Sequence, residues 1–170
     1  MTGTTIRKMV LCSLFAALTA LCAWISLPVG QIAFTLQTLA VFLSLGILGG
    51  KWGTVSILIY LALGAAGLPV FTGFRGGIGV LLGVTGGYLW GLLLSGLIYW
   101  SLEKLCKPLA SALGLLGCYF CGCLWFSLYS GGAGFRSALL VCVVPYLIPD
   151  GIKLYFAHRL SRRLKKHLKY

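Results

Sequence analysis

The sequence predicts an all-α, polytopic integral membrane protein with six transmembrane helices and both termini cytoplasmic. Two observations predict the class. Of 170 residues, 59% are apolar and 9% charged, against a charged share of about 25% in soluble domains. The apolar residues also come in long uncharged runs that neither alternate nor form amphipathic stripes, and lipid is the solvent that suits such runs. A third observation, the placement of Lys and Arg, sets the orientation.

The first run covers 9–27 and ends at Pro28. Arg7 and Lys8 before it give the outline of a secretory signal. The run is too long for a typical signal core, however, and no small-residue cleavage site follows Leu27, so it reads as the first span. The second span is 35–50, and Lys51 separates it from the third, 52–68. A loop, Pro69 to Gly77, carries Thr72, Gly73, Arg75 and paired glycines. The fourth span, 78–102, closes at Glu103 and Lys104, and the fifth is 109–129. Each is near the length that crosses a hydrocarbon core of about 30 Å. Residues 137–148 are apolar but short and interrupted by Pro145, and they read as a short helix or surface segment. Pro149 then suits the first position of a sixth helix, 149–168, with Asp150 at its positive end. A single span from Ser137 to His158 is the alternative. No internal repeat is evident, and the chain reads as one domain, 1–170.

With both termini cytoplasmic, eleven basic residues lie inside: Arg7, Lys8, Lys51, Lys104, Lys107, Arg159, Arg162, Arg163, Lys165, Lys166 and Lys169. Arg75 and Arg136 lie outside, and Lys153 is within a span. That asymmetry decides the orientation. It also accounts for the net charge of +12 without a nucleic-acid partner, since the cations flank apolar runs and do not form one soluble face.

Other chemistries are excluded by what is missing. Cys118, Cys121 and Cys123 have no second cluster or nearby His to complete a metal set, and they read as small apolar residues inside a helix. No G-x-x-x-x-G-K-[ST] phosphate loop is present. Glu103 and Asp150 are the two acidic residues, and the topology puts them on opposite sides of the membrane, so paired-carboxylate catalysis is excluded. The chain is expected to be a binder or conduit, not an enzyme, with no catalytic residue, metal or cofactor of its own.

Three charges are not membrane flanks: Arg75, Asp150 and Lys153. An ionisable residue at mid-membrane costs about 2.5–3.5 kcal/mol on insertion scales, so it has a function or a partner. Asp150 and Lys153 are three apart and share a helix face; they form either a structural ion pair or part of a ligand pocket. Arg75 sits in an outer loop, and Asp150 begins a helix on the same side, so the three can converge there. Gly76 and Gly77 beside Arg75 are expected to bring backbone N–H groups to a ligand. Gly86 and Gly87, within the fourth helix, are as well explained by helix packing. Cys12, Ala16 and Ala20 form a small-residue stripe on the first helix that can seat another helix, within the chain or on a partner. Five tryptophans, including Trp24, Trp90 and Trp125, mostly fall near span ends, where interfacial anchoring is the default.

Several of these residues, in order, resemble the BioY family, the biotin-binding S components of energy-coupling factor transporters. The resemblance runs from Phe34-Thr35-Leu36-Gln37 through Gly49-Gly50-Lys51-Trp52-Gly53, Gly67-Leu68-Pro69-Val70-Phe71 and Gly86-Gly87-Tyr88 to Ile148-Pro149-Asp150-Gly151-Ile152-Lys153. Val84 stands where the family commonly has Pro, and Asp150 follows Pro149 without the Gly that often intervenes. The resemblance implies a six-helix subunit in a prokaryotic plasma membrane that binds biotin from outside. It also implies a transmembrane T component, with Ala16 and Ala20 looking like its docking face, and two ATPase subunits that use the ATP. Arg75 or Lys153 would pair with the biotin carboxylate and Asp150 would accept from the ureido N–H groups. Gln37 and Tyr88 would add contacts. The rivals are an S component for another vitamin and a membrane assembly subunit that binds no ligand.

Overall fold

The computed structural model describes residues 3–27, 33–129, 139–140 and 143–168. Among them, seven helices are delimited: α1 (Gly3–Trp24), α2 (Gln37–Leu48), α3 (Gly50–Ala65), α4 (Ile78–Leu82), α5 (Gly86–Leu102), α6 (Lys107–Tyr129) and α7 (Val144–Leu168). A short antiparallel pair, β1 (Ser26–Leu27) and β2 (Phe34–Thr35), joins α1 to α2. Arg136 and most of the segment 137–148 lie outside the described residues.

The bundle has an apolar interior, as a soluble core has, but its outer surface is apolar as well. Leu105, Leu128 and Ile148 are each more than 70% exposed, while Ser44, Ser56 and Ser95 are fully buried. Each buried hydroxyl returns its proton to a backbone carbonyl: Ser44 to Val41, Ser95 to Leu92, and Ser56 across to Cys12 on α1. Such pairing is what permits a hydroxyl away from water. The outward leucines need no polar cover if the surroundings are lipid. Thr5–Trp24 and Lys107–Tyr129 combine the length and hydropathy to cross a bilayer.

α5 and α6 make the most extensive helix contact and run antiparallel. They approach closely because glycines face the partner helix. A β-carbon on Gly91 would lie 2.8 Å from the Cys118 carbonyl oxygen, and one on Gly87 would overlap Trp125. The packing reading therefore holds for Gly87. α2 lies centrally, against α1, α3 and α7.

Three expectations change. The run 78–102 is not one helix: it breaks at residues 83–85, between α4 and α5. The backbone carbonyls freed there are taken by indole N–H groups, with Trp90 donating to Leu81 at 3.3 Å and Trp125 to Gly83 at 2.9 Å. Trp24 likewise donates to Pro69 at 2.9 Å. These three tryptophans hold loop and helix-end backbone in place. Second, the last helix begins at Val144, so that Pro149 lies inside it. Pro145 occupies the first turn, where a missing N–H costs nothing, and Asp150 is buried in the second turn. Third, Ala16 and Ala20 are buried inside the bundle with Cys12 and Ala23. Their stripe lies on a helix that packs against α2 and α3 of the same chain.

The helix ends carrying Lys8, Lys51, Lys104, Lys107, Arg162 and Lys165 gather at one end of the bundle, with Arg75 at the other. Glu103 is fixed at the basic end. Its Oε2 accepts from the N–H of Gly50, the first residue of α3, at 2.9 Å. A carboxylate there satisfies an orphan donor and offsets the helix dipole. Glu103→Gln is expected to cost about 1 kcal/mol and to lower Tm by about 2–4 °C; an unchanged melting curve in detergent would show that the cap contributes nothing.

Candidate functional site

At the end away from Glu103, the helices leave a cavity of 310 Å³, at the lower limit of the ~300–1,000 Å³ typical of small-molecule sites. β2 and the start of α2 supply Thr35, Gln37 and Thr38; the loop before α4 supplies Phe71, Thr72 and Arg75. Tyr88, Leu89 and Leu92 come from α5, Cys118 and Tyr119 from α6, and Tyr146, Asp150 and Lys153 from α7.

The polar centre is built around Asp150. Its Oδ1 accepts from Thr38 Oγ1 at 3.0 Å and from Lys153 Nζ at 2.7 Å, and its Oδ2 accepts from Tyr119 Oη at 2.6 Å. A carboxylate offers about four acceptor positions. Three are filled, so one remains, on Oδ2, for a donor from a ligand. Lys153 is more fully committed. Besides Asp150, its ammonium donates to the Thr35 carbonyl at 2.6 Å and lies 3.7 Å from the centre of the Phe34 ring. Its three protons thus have partners, and burial of both residues makes the pair interdependent. The ion pair and the pocket are therefore not alternatives: the pair is part of the pocket wall.

Arg75 differs. It lines the same cavity but is exposed, and among the described residues no carboxylate pairs with it; the one ion pair there joins Lys153 to Asp150. Its loop is tied down. The Phe71 N–H donates to the Arg75 carbonyl at 2.9 Å, and Phe74, at φ 55°, stacks on Trp24 with ring centres 4.8 Å apart. A non-glycine residue at positive φ is costly, and the stacking offsets part of that cost. Gln37 lies deeper, its Nε2 donating to Tyr60 Oη at 3.1 Å, and Tyr60 in turn donating to the Val70 carbonyl.

The structure thus brings Arg75, Asp150, Lys153, Gln37 and Tyr88 to one cavity, and leaves out Gly76 and Gly77. A β-carbon on Gly76 would overlap the Leu68 carbonyl, so that glycine allows the loop to cross its own backbone. Gly77, at φ 95°, spends its N–H on the Gly64 carbonyl at 2.6 Å. Neither presents an amide to the cavity. Sequence reasoning missed Thr38 and Tyr119. Tyr119 carried a signal, because a phenol in the middle of an apolar helix needs a hydrogen-bond partner. Thr38 carried none beyond its place next to Gln37. Among the described residues, no group of three His, Cys, Asp or Glu side chains is placed to hold a metal ion.

The chain is 42% identical over 165 residues to the biotin transporter BioY of Thermotoga maritima, covering 94% of this chain and 96% of that one. It is 39% identical to the probable biotin transporter BioY of Pyrococcus horikoshii, with the same two coverages. Its structure superposes on the crystal structure of the S-component for biotin from an ECF-type ABC transporter with a TM-score of 0.89 at 29% identity, covering 98% of this chain and 95% of that one. The BioY family model matches residues 1–170, and the chain belongs to the BioY family.

Proposed function

We propose that this chain is the biotin-binding subunit of an ATP-driven uptake transporter, taking biotin into the 310 Å³ cavity from outside and delivering it inward. Its relatives' names and the solved biotin S-component support the vitamin. The observation that carries the reading is the composition of one cavity wall: a buried carboxylate with one acceptor position left, and an arginine without an acidic partner among the described residues. Biotin is complementary to both. Its ureido ring offers N–H groups to Asp150, and its carboxylate suits the guanidinium of Arg75. Lys153, with its protons engaged, orients Asp150 and leaves the carboxylate to Arg75. Tyr88 and Phe71 supply aromatic surface, and Gln37 a further polar contact.

The six-span topology with both termini inside belongs to the same proposal. It is supported by the gathering of basic residues at the bundle end opposite Arg75, which the positive-inside rule assigns to the cytoplasm, and it places the chain in the cell membrane with the cavity facing out. ATP hydrolysis falls to two separate ATPase subunits joined through a T component; the likeness to the S-component of an ECF-type ABC transporter supports this, and this sequence has no phosphate loop of its own.

Mass spectrometry of ligand released from purified protein tests the substrate: biotin is expected, and another vitamin in its place would overturn the assignment. Arg75→Gln tests the orientation. Biotin affinity is expected to fall about tenfold, the worth of a charge-assisted hydrogen bond, while the neutral biotin methyl ester binds both proteins alike. Equal losses for acid and ester would remove Arg75 from the carboxylate.

A further inference from the structure

The basic end of the bundle holds a second cavity, of 290 Å³, between α2, α5, α6 and α7. Phe42, Tyr99, Leu154 and Ala157 give it an apolar wall, and Lys107, His158, Arg162 and Lys165 open onto it with the hydroxyl-bearing Ser111 and Ser161. His158, Arg162 and Lys165 are four and three residues apart, so they share one face of α7; Lys107 comes to them from the first turn of α6.

What this cluster lacks, among the described residues, is a carboxylate in contact with it. The sequence has two acidic side chains, and both are committed elsewhere. Asp150 pairs with Lys153, and Arg162 lies roughly 18 Å further along α7 at 1.5 Å per residue. Glu103 spends Oε2 on the Gly50 N–H; its charge is near enough to act on Lys165, but it makes no ion pair with it. Among the described residues, Lys107, Arg162 and Lys165 have no ion pair. Basic side chains on a membrane protein's inner flank are ordinarily a convex, solvated face. Here they surround a concavity with an aromatic and aliphatic wall, and Lys165 and His158 are half-buried.

We propose that this cavity binds a phosphate group, carried by an anionic membrane phospholipid or present as free phosphate. The Arg162 guanidinium matches two phosphate oxygens at once, and Lys107 and Lys165 act as point charges beside it. The lipid is the expected source. Basic pockets between membrane helices hold such headgroups, and the Phe42–Leu154 wall accommodates the start of an acyl chain. Because α2 and α7 border both cavities, an anion here braces the helix that carries Asp150 and Lys153. The site is separate from the biotin cavity and does not depend on which vitamin binds there.

The test uses the full chain, purified in detergent and stripped of lipid. Phosphatidylglycerol, phosphatidylcholine and inorganic phosphate are each titrated, with retained molecules read by native mass spectrometry and Tm by intrinsic tryptophan fluorescence. Preferential retention of phosphatidylglycerol is expected, with a rise in Tm. R162Q/K165Q is expected to weaken retention about tenfold or more. R159Q/K166Q removes the same charge from α7 outside the cavity and is expected to leave retention unchanged. Stabilisation by inorganic phosphate that R162Q/K165Q abolishes, without lipid preference, would assign the site to free phosphate. Equal losses in the two double variants, or no anion preference in the wild type, would overturn the proposal. Biotin binding measured on the same samples is expected to survive in R162Q/K165Q, which separates loss of this site from loss of the fold or of the vitamin reading.

Discussion

Asp150→Asn is expected to weaken biotin binding about tenfold or more while the protein still folds, and to lower its stability. Asp150 accepts three hydrogen bonds, from Thr38, Tyr119 and Lys153, and keeps one acceptor position for the ligand. The amide of Asn has a single oxygen with two acceptor positions, and its nitrogen would turn a donor toward groups that are themselves donating. The ureido N–H would then meet no free acceptor, and a polar site with one group mismatched loses affinity by the desolvation of that group. Lys153 would be left as a buried charge without its counter-ion, a change worth about 3–5 kcal/mol in soluble proteins. The double variant D150N/K153Q removes that lone charge, and is expected to regain part of the lost Tm without regaining biotin affinity. Calorimetric titration and thermal unfolding separate the two effects. Unchanged affinity in Asp150→Asn would remove Asp150 from the binding site, and unchanged Tm would show that the pair is not a structural unit.

Gly91→Leu is the substitution expected to damage the fold most. Its β-carbon would lie 2.8 Å from the carbonyl oxygen of Cys118 and 3.0 Å from its Cα. These are backbone atoms of α6, which move only if the helix moves. Overpacking by a side chain costs about 1–3 kcal/mol even where neighbours can adjust, and here the neighbour is rigid. α6 is also the helix that brings Cys118 and Tyr119 to the cavity. Displacing it draws the phenol away from Asp150, so biotin affinity is expected to fall together with Tm. Gly151→Ala is the control, because a β-carbon there meets nothing within 4 Å and a helical alanine gains about 0.5–1 kcal/mol over glycine. A Gly91→Leu protein that melts with the wild type would show that α5 and α6 are not in the contact described.

The candidate cavity was legible in the sequence to the extent that its residues were anomalous there. Asp150 and Lys153 stand out because charge inside an apolar run is rare and expensive, and Arg75 because it is a cation on the wrong flank. All three line the cavity. Glycines are ambiguous by nature. The same residue type serves a ligand approach, a tight turn or a helix contact, and only the neighbours tell which. Gly76 and Gly77 therefore read as ligand contacts but close the loop on itself, and the small-residue stripe at Ala16 and Ala20 faces inward. Tryptophan is ambiguous for a related reason. Position near a span end suits an interfacial anchor, whereas Trp24, Trp90 and Trp125 use their N–H groups on backbone carbonyls in loops or at a helix end.

By itself the sequence determined the solvent, the helical class, the approximate place of most helices and which polar residues need explaining. Those properties follow from hydropathy and charge summed over short stretches, and the tertiary contacts do not change the sums. The tertiary structure alone decided who meets whom. Thr38 reaches Asp150 across 112 positions and Tyr119 across 31, Lys153 reaches the Thr35 carbonyl across 118, and Arg75 lacks an acidic partner among the described residues. Hydrogen bonding is directional and short-ranged, so it depends on the crossing of helices far apart in the chain, which no local pattern records.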